Sequence, residues 1–197
     1  MNRAIVGRYI TLLASAISAA IVFLLLSALD LAHRWGLNVN LTPSLLSLVG
    51  AATVFGALYW LFNRFAWRWP ILNSAIRVPN LEGEWTCEGQ TVNPDGSPGH
   101  LWQASITILQ SWDKIRLRLK SSQSTSDSIA AAIISDEAEG FRLLYNYRNQ
   151  PKIGEVGLQG HLGFCQLVFD ESLKTAEGEY FNGHGRYTFG AMRLKRK

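Results

Sequence analysis

The stretch LEGEWTCEGQ, residues 81–90, decides the fold because its side chains alternate between two chemical classes. Leu81, Trp85 and Cys87 fall on one face of an extended chain, with two glycines between and beside them. Polar residues, three of them glutamates, fall on the other face. A period of two is the pattern of a β-strand with one buried and one solvated face. We therefore predict a strand here and extend the search in both directions.

Downstream, the same period recurs to the end of the chain, interrupted by turn signals such as NPDGSPG at residues 93–99. Eight strands within 120 residues, joined by hairpin-length turns and without a helical pattern, favour an eight-stranded antiparallel up-and-down β-barrel or a strongly rolled sheet. Eight strands enclose an interior that side chains fill or that holds one small ligand. After the first strand we predict strands at 102–108, 115–120, 129–135, 141–148, 157–170, 175–182 and 186–195, a loop over 121–127, and turns at 136–140 and 183–185.

Upstream, the chain is apolar rather than alternating. Ile10–Leu29 is a run of 20 uncharged residues and Ser44–Phe62 is a second run of 19, each about the length that crosses a ~30 Å hydrocarbon core as a helix. A cleaved signal peptide is the alternative for the first run, since Arg3 and Arg8 precede it. The run exceeds the roughly 7–15 apolar residues of a signal peptide, and a second run follows. We predict two transmembrane helices.

The charges divide the chain into the same two parts, a transmembrane segment over residues 1–77 and a β domain over 78–197. Six of the 19 basic residues and one of the 15 acidic residues lie in 1–77. Residues 78–197 therefore carry 13 basic and 14 acidic residues. The β domain is therefore close to neutral, which argues against a DNA or RNA polymer as a partner. Five arginines lie before the first apolar run or after the second, and only Arg34 lies in the connection between the runs. The positive-inside rule therefore places both termini in the cytoplasm.

No sequence motif indicates an enzyme. Cys87 and Cys165 have no zinc-type spacing, and two cysteines do not make a disulfide framework, so we predict two buried thiols in a reducing compartment. The four histidines lack the spacing of metal ligands, and the chain has no nucleophile elbow, phosphate-binding loop or dinucleotide fingerprint. We predict no catalytic residue, no metal and no cofactor.

The face of the later strands that is predicted to point inward carries polar side chains. An arginine and an asparagine on the lining of a small barrel are unfavourable unless they are paired or hydrated. Either they lie at an open rim in contact with water, or they bind an anionic ligand while tyrosines stack on it. Trp85 is expected to plug the barrel base instead. The candidate ligand-binding residues are Tyr145, Tyr147, Tyr180, Asn182, Arg186 and Thr188.

Small residues recur four apart in both apolar runs, at Ala16 and Ala20 and at Ala52 and Gly56. Such spacing lets helix backbones approach closely in lipid, which favours self-association into oligomers. Alanine and glycine are also common in membrane helices without that role, so this feature alone leaves oligomerisation open.

Five short motifs behind the two apolar runs resemble one family. They are PNLEGEWTC (79–87), YNYRNQP (145–151), HLG (161–163), GEYFNGHGR (178–186) and GAMRL (190–194). In this order they are similar to the two-transmembrane, β-strand-rich effectors of bacterial CBASS anti-phage systems, also described as SMODS-associated or CD-NTase-associated effectors. The resemblance covers essentially the whole chain.

The resemblance implies a mechanism and a set of partners. In such systems a nucleotidyltransferase senses phage infection and makes a cyclic dinucleotide, which binds the cytoplasmic β-barrel of the effector. The effector then oligomerises, and its helices disrupt the bacterial inner membrane so that the infected cell dies. The implied partners are the cyclic dinucleotide, the lipid bilayer, further copies of the chain and the nucleotidyltransferase.

Two alternatives stay open on the residues alone. One is a membrane-tethered, lipocalin-like binder of an apolar ligand, for which the Gly83-x-Trp85 pair is a weak pointer. It predicts that Arg186→Ala leaves ligand binding nearly unchanged. The other is a scaffold that recruits a partner protein, and it predicts a filled barrel without a cavity.

Overall fold

The structure, a computed structural model, describes residues 3–36, 43–136, 140–155, 157–183 and 186–197. The chain divides into two compact units, Met1–Val78 and Pro79–Lys197. The turns predicted at 136–140 and 183–185 lie partly outside the described residues.

The first unit is helical. Helix α1 spans Arg3–Arg34, α2 spans Pro43–Arg64 and α3 spans Pro70–Ile76, with one turn of 3-10 helix at Ala66–Arg68. Within the part of the chain whose side chains are described, one helix, Thr11–Arg34, is long and apolar enough to cross a membrane. It contains most of the first predicted span. The side chains of residues 43–51, at the start of α2, lie outside the description.

The second unit is a closed barrel of eight antiparallel strands in chain order, and β8 pairs with β1 to complete it. The up-and-down β-barrel predicted from the alternation is confirmed, and closure leaves no free edge for aggregation. The strands are β1 Gly83–Val92, β2 Pro98–Gln110, β3 Ile115–Ser121, β4 Ser124–Asp136, β5 Gly140–Pro151, β6 His161–Phe169, β7 Thr175–Asn182 and β8 Phe189–Arg196.

The loop predicted over residues 121–127 is wrong. Strand β4 begins at Ser124, and its first residues pair with β3. Ser124 and Ser126 are buried inside the barrel. Because inward and outward side chains are both polar here, the contrast that normally reveals a strand is missing.

Two predicted strand starts are also wrong. The sixth strand begins at His161 rather than at Gly157, because Gly157 has a left-handed φ of 90° and belongs to a turn. The eighth begins at Phe189 rather than at Arg186. Before it the backbone is tightly turned, since the Arg186 amide donates to the Gly183 carbonyl at 3.1 Å.

The apolar core fills one end of the barrel, which we call the base. Trp85 is fully buried there; its indole N–H donates to the Leu81 carbonyl at 3.1 Å, and its ring meets Phe169 edge to face at 5.5 Å between centroids. The chain enters the barrel at the base, where Gln110 accepts from the Leu81 amide at 2.8 Å and donates to the Pro79 carbonyl at 2.9 Å. Trp85 therefore plugs the base, as predicted.

Candidate functional site: a polar cavity in the barrel

A cavity of about 610 Å³ occupies the barrel beyond the apolar base, within the roughly 300–1,000 Å³ typical of small-molecule sites. This volume is inconsistent with the filled barrel that a scaffold would have. All six candidate residues predicted from the sequence line the cavity, namely Tyr145, Tyr147, Tyr180, Asn182, Arg186 and Thr188. Trp85 does not line it.

Aromatic rings form two sides of the cavity. Tyr145 and Tyr147 follow each other on the inward face of β5, with ring centroids 5.8 Å apart. Trp102 on β2 meets Tyr180 on β7 edge to face at 5.6 Å, and its indole N–H donates to the Tyr180 hydroxyl at 3.0 Å. These rings offer flat apolar surfaces on which a planar ligand group can stack.

Two glycines make room for these rings. A Cβ added at Gly163 would lie 2.4 Å from Cζ of Tyr147, and one added at Gly89 would lie 2.1 Å from the Trp102 indole. Real Cβ atoms do not approach other atoms so closely. Glycine on the neighbouring strand therefore lets each aromatic ring lie flat against the barrel wall and keeps the cavity open.

A chain of hydrogen bonds links Tyr147 to the loop before β8. The Tyr147 hydroxyl donates to Asn182 Oδ1 at 2.7 Å, and Asn182 Nδ2 donates to Thr188 Oγ1 at 2.8 Å. Burial raises the pKa of the Tyr147 phenol, with Arg186 partly offsetting the rise. Burial likewise raises the pKa of Tyr145. Both phenols are therefore neutral at physiological pH.

The fixed charge of the cavity is positive. Arg186, half-buried, lines it close enough for its guanidinium to favour the ionised form of both Tyr147 and Tyr180. No aspartate or glutamate is among the described residues that line the cavity. A cation without a neighbouring carboxylate inside a barrel is suited to an anionic ligand group, with which it forms charge-assisted hydrogen bonds.

The comparisons with known proteins agree with this geometry. The family model described as "Cap15, cyclic dinucleotide receptor domain" matches residues 76–196, and "Cap15, TM helices" matches residues 4–68. The chain belongs to the Cap15 family. It is 44% identical to "CD-NTase-associated protein 15" of Yersinia aleksiciae over 196 residues, covering 100% of this chain and 93% of that protein. It is 26% identical to the Staphylococcus schleiferi protein of the same name over 136 residues, which cover 68% of this chain and 70% of that protein.

The Cap15 assignment confirms the resemblance drawn from the five sequence motifs. The barrel is a Cap15 cyclic dinucleotide receptor domain of a CBASS-associated family. The match to the Cap15 transmembrane helices, together with the apolar helix Thr11–Arg34, makes the chain a membrane protein.

A second polar group of the Cap15 cavity was not predicted from the sequence. Asn149 donates through Nδ2 to the hydroxyls of Ser124 at 2.9 Å and Ser126 at 2.8 Å. His161, paired with Asn149 across β5 and β6, holds its Nδ1 3.1 Å from the Gln159 carbonyl. Asn149 could have been found as the next inward position after Tyr145 and Tyr147. The serines could not, because the segment around them is polar on both faces.

The two cysteines of the Cap15 barrel are free and buried, as predicted. Cys165 lies on the cavity lining with its thiol 3.2 Å from the Met192 sulfur. Burial raises the pKa of both the Cys87 and the Cys165 thiol to about 12. Both are therefore protonated and unreactive at neutral pH.

Proposed function

We propose that this Cap15 protein is an anti-phage effector whose barrel binds a cyclic dinucleotide second messenger, after which the chain oligomerises and disrupts the inner membrane of the infected cell. The observation that carries the proposal is Arg186, a cation on the lining of an aromatic-walled cavity whose described residues include no carboxylate. A cyclic dinucleotide offers two negatively charged phosphates and two flat bases, which match the two chemistries of this cavity.

The proposed contacts assign a role to each predicted site residue. Arg186 binds a phosphate through charge-assisted hydrogen bonds, with Asn182 and Thr188 beside it as neutral polar partners. Tyr145, Tyr147 and Tyr180 offer ring faces to the bases, and each base stack contributes about 1–3 kcal/mol. Neutral phenols suit this role, because ionised tyrosines would repel the phosphates.

The lining argues against the apolar-ligand alternative. A lipid chain or another apolar molecule would remove the half-buried Arg186 from water without giving it a new partner, and such burial is strongly unfavourable. A phosphate-bearing ligand satisfies the arginine instead.

The membrane part of the proposal rests on the helical unit. We propose that α1 and α2 both span the inner membrane and that both termini, with the barrel, lie in the cytoplasm where the messenger is made. In the described part of α1 and α2, Ala16, Ala20, Ala52 and Gly56 are exposed. These small-residue faces are therefore open to helices of further copies, which supports self-association in lipid.

The proposal is tested by dye release from vesicles that contain the full chain. Adding a cyclic dinucleotide is expected to release dye, whereas linear dinucleotides are expected to release none. Arg186→Ala should shift the concentration for half-maximal release upward by about 10- to 150-fold, because a hydrogen bond to a charged group contributes about 1.5–3 kcal/mol. Arg148→Ala, on the exposed face of β5, is the matched control. Equal release from vesicles lacking the protein, or no release at any messenger concentration, contradicts the proposal.

A further inference from the structure

Asn149, on the cavity lining, has a buried polar atom without a hydrogen-bond partner among the described residues. Asn149 is 6% exposed and lines the cavity, and its Nδ2 atom donates to both Ser124 and Ser126. Its Oδ1 atom is buried without a hydrogen bond. Rotating the amide by 180° would exchange the two atoms and leave Nδ2 unpaired instead. A buried polar atom without a partner is rare in proteins and calls for an explanation.

The position of Asn149 relative to the phosphate-binding residues supplies that explanation. Tyr145, Tyr147 and Asn149 are successive inward residues of β5, spaced by about 6.6 Å along the strand. The Tyr147 hydroxyl is hydrogen-bonded to Asn182, and Asn182 ends β7, next to the loop that carries Arg186. Asn149 is therefore the inward neighbour of Tyr147 on β5, and the Tyr147 ring is hydrogen-bonded to Asn182, close to the proposed phosphate-binding Arg186.

We propose that Asn149 reads the hydrogen-bonding edge of one base of the cyclic dinucleotide, with Ser124 and Ser126 holding its amide in place. The inference rests on the proposed function and adds the residue that sets base preference. With a phosphate at Arg186 and the base stacked on Tyr147, an N–H group on the base edge donates to Asn149 Oδ1. A site built to make such a bond rejects ligands that lack the group, because its own buried atom then stays unpaired.

The test measures base preference rather than affinity alone. The full chain in detergent is titrated calorimetrically with cyclic dinucleotides that share one backbone and differ in their bases, and the ratio of dissociation constants between the weakest and the strongest ligand is recorded. The parent protein is expected to show a ratio of at least about 10, since removing a hydrogen bond at a buried group is typically worth tenfold or more. Asn149→Leu, similar in size but unable to hydrogen-bond, should bring the ratio close to one.

Two further variants make the result specific. Arg186→Ala should weaken all ligands by a similar factor and leave the ratio unchanged, because a phosphate is common to all of them. Ser126→Ala keeps the Asn149 amide and removes one of its two anchors, so the ratio should fall part of the way. This variant also gives an answer if Asn149→Leu does not fold.

The outcomes separate the two proposals. A parent that binds cyclic dinucleotides with equal affinity, or a folded Asn149→Leu or Ser126→Ala protein that keeps the parental ratio, overturns the base-reading role and leaves the messenger-sensor function standing. A parent that binds none of the cyclic dinucleotides overturns the proposed function, and the base-reading role with it.

Discussion

Replacing Gly163 by alanine tests whether the cavity depends on Tyr147 lying against a strand without a side chain. The new Cβ would lie 2.4 Å from Tyr147 Cζ and 2.5 Å from its hydroxyl oxygen. Non-bonded carbon atoms settle at about 3.5–4.0 Å, so the ring must move by about 1 Å or more. The bond from Tyr147 to Asn182, 2.7 Å long in the structure, would then exceed the length of a hydrogen bond.

Both effects lower the free energy of unfolding. Forcing an extra methyl group into a packed interior costs about 1–3 kcal/mol, and the lost hydrogen bond adds about 0.5–1.5 kcal/mol. We expect a total of about 2–4 kcal/mol. Because one kcal/mol shifts the melting temperature of a domain of this size by roughly 4 °C, thermal unfolding should move down by roughly 8–16 °C. Affinity for a cyclic dinucleotide should fall as well, since the displaced ring narrows the cavity.

The assay is thermal unfolding of the full chain in detergent, with Gly183→Ala as the control. Among the described residues, a Cβ added at Gly183 meets the Leu162 carbonyl alone, at 3.8 Å, which is an ordinary contact. We therefore expect a change in the free energy of unfolding within about 0.5 kcal/mol. A double-mutant cycle then isolates the cause: in a Tyr147→Ala background, Gly163→Ala should cost almost nothing, because the ring it displaces is gone. If the full cost persists without Tyr147, or if Gly163→Ala behaves like Gly183→Ala, the packing argument is refuted.

Three further predictions concern the barrel. Cys87 and Cys165, with pKa values raised to about 12 by burial, should resist maleimide at pH 8 until the barrel unfolds; rapid native labelling, followed by mass spectrometry, would contradict this. Hydrogen bonds, the strongest from Ser172, lower the pKa of Asp170. Asp170→Asn should therefore lower the free energy of unfolding at pH 7. This difference from the parent protein should disappear as the pH falls and the parental carboxylate becomes protonated. Gln110→Leu should lower the free energy of unfolding by about 1–3 kcal/mol for each buried backbone group left unpaired, measured by urea denaturation; an unchanged midpoint would refute its role at the base.

The barrel could be predicted from the sequence wherever one face of a strand is apolar and the other polar. Residues 81–90 show that contrast, and so do β3 and β7, where Ile115 and Thr175 begin the strands in the structure as they do in the prediction. This contrast arises where one face of a strand packs against an apolar core, as at the base of the barrel. The strand count followed from it, and the count in turn favoured an up-and-down barrel or a strongly rolled sheet.

The same reasoning failed where the interior is a cavity instead of a core. Ser124 and Ser126 point into the barrel but hydrogen-bond to Asn149, so no apolar residue marked the start of β4. Arg186 was correctly predicted to line the interior. It was assigned to a strand, however, whereas it lies in the turn before β8. Sequence periodicity thus located the cavity residues of β5, β7 and the segment before β8, and missed the polar group of Ser124, Ser126 and Asn149.

The central claim, that the barrel binds a cyclic dinucleotide, is tested most directly by thermal unfolding of the full chain with a panel of cyclic dinucleotides and with linear dinucleotides as controls. At 100 times its dissociation constant, a ligand that binds only the folded state stabilises it by about 2.7 kcal/mol. We predict an upward shift of that size with at least one cyclic dinucleotide and no shift with linear dinucleotides. In Arg186→Ala, whose affinity we expect to be about 10- to 150-fold weaker, the same ligand concentration should stabilise the protein by only about 0.3–1.4 kcal/mol. A folded protein whose unfolding temperature no cyclic dinucleotide changes would contradict the account.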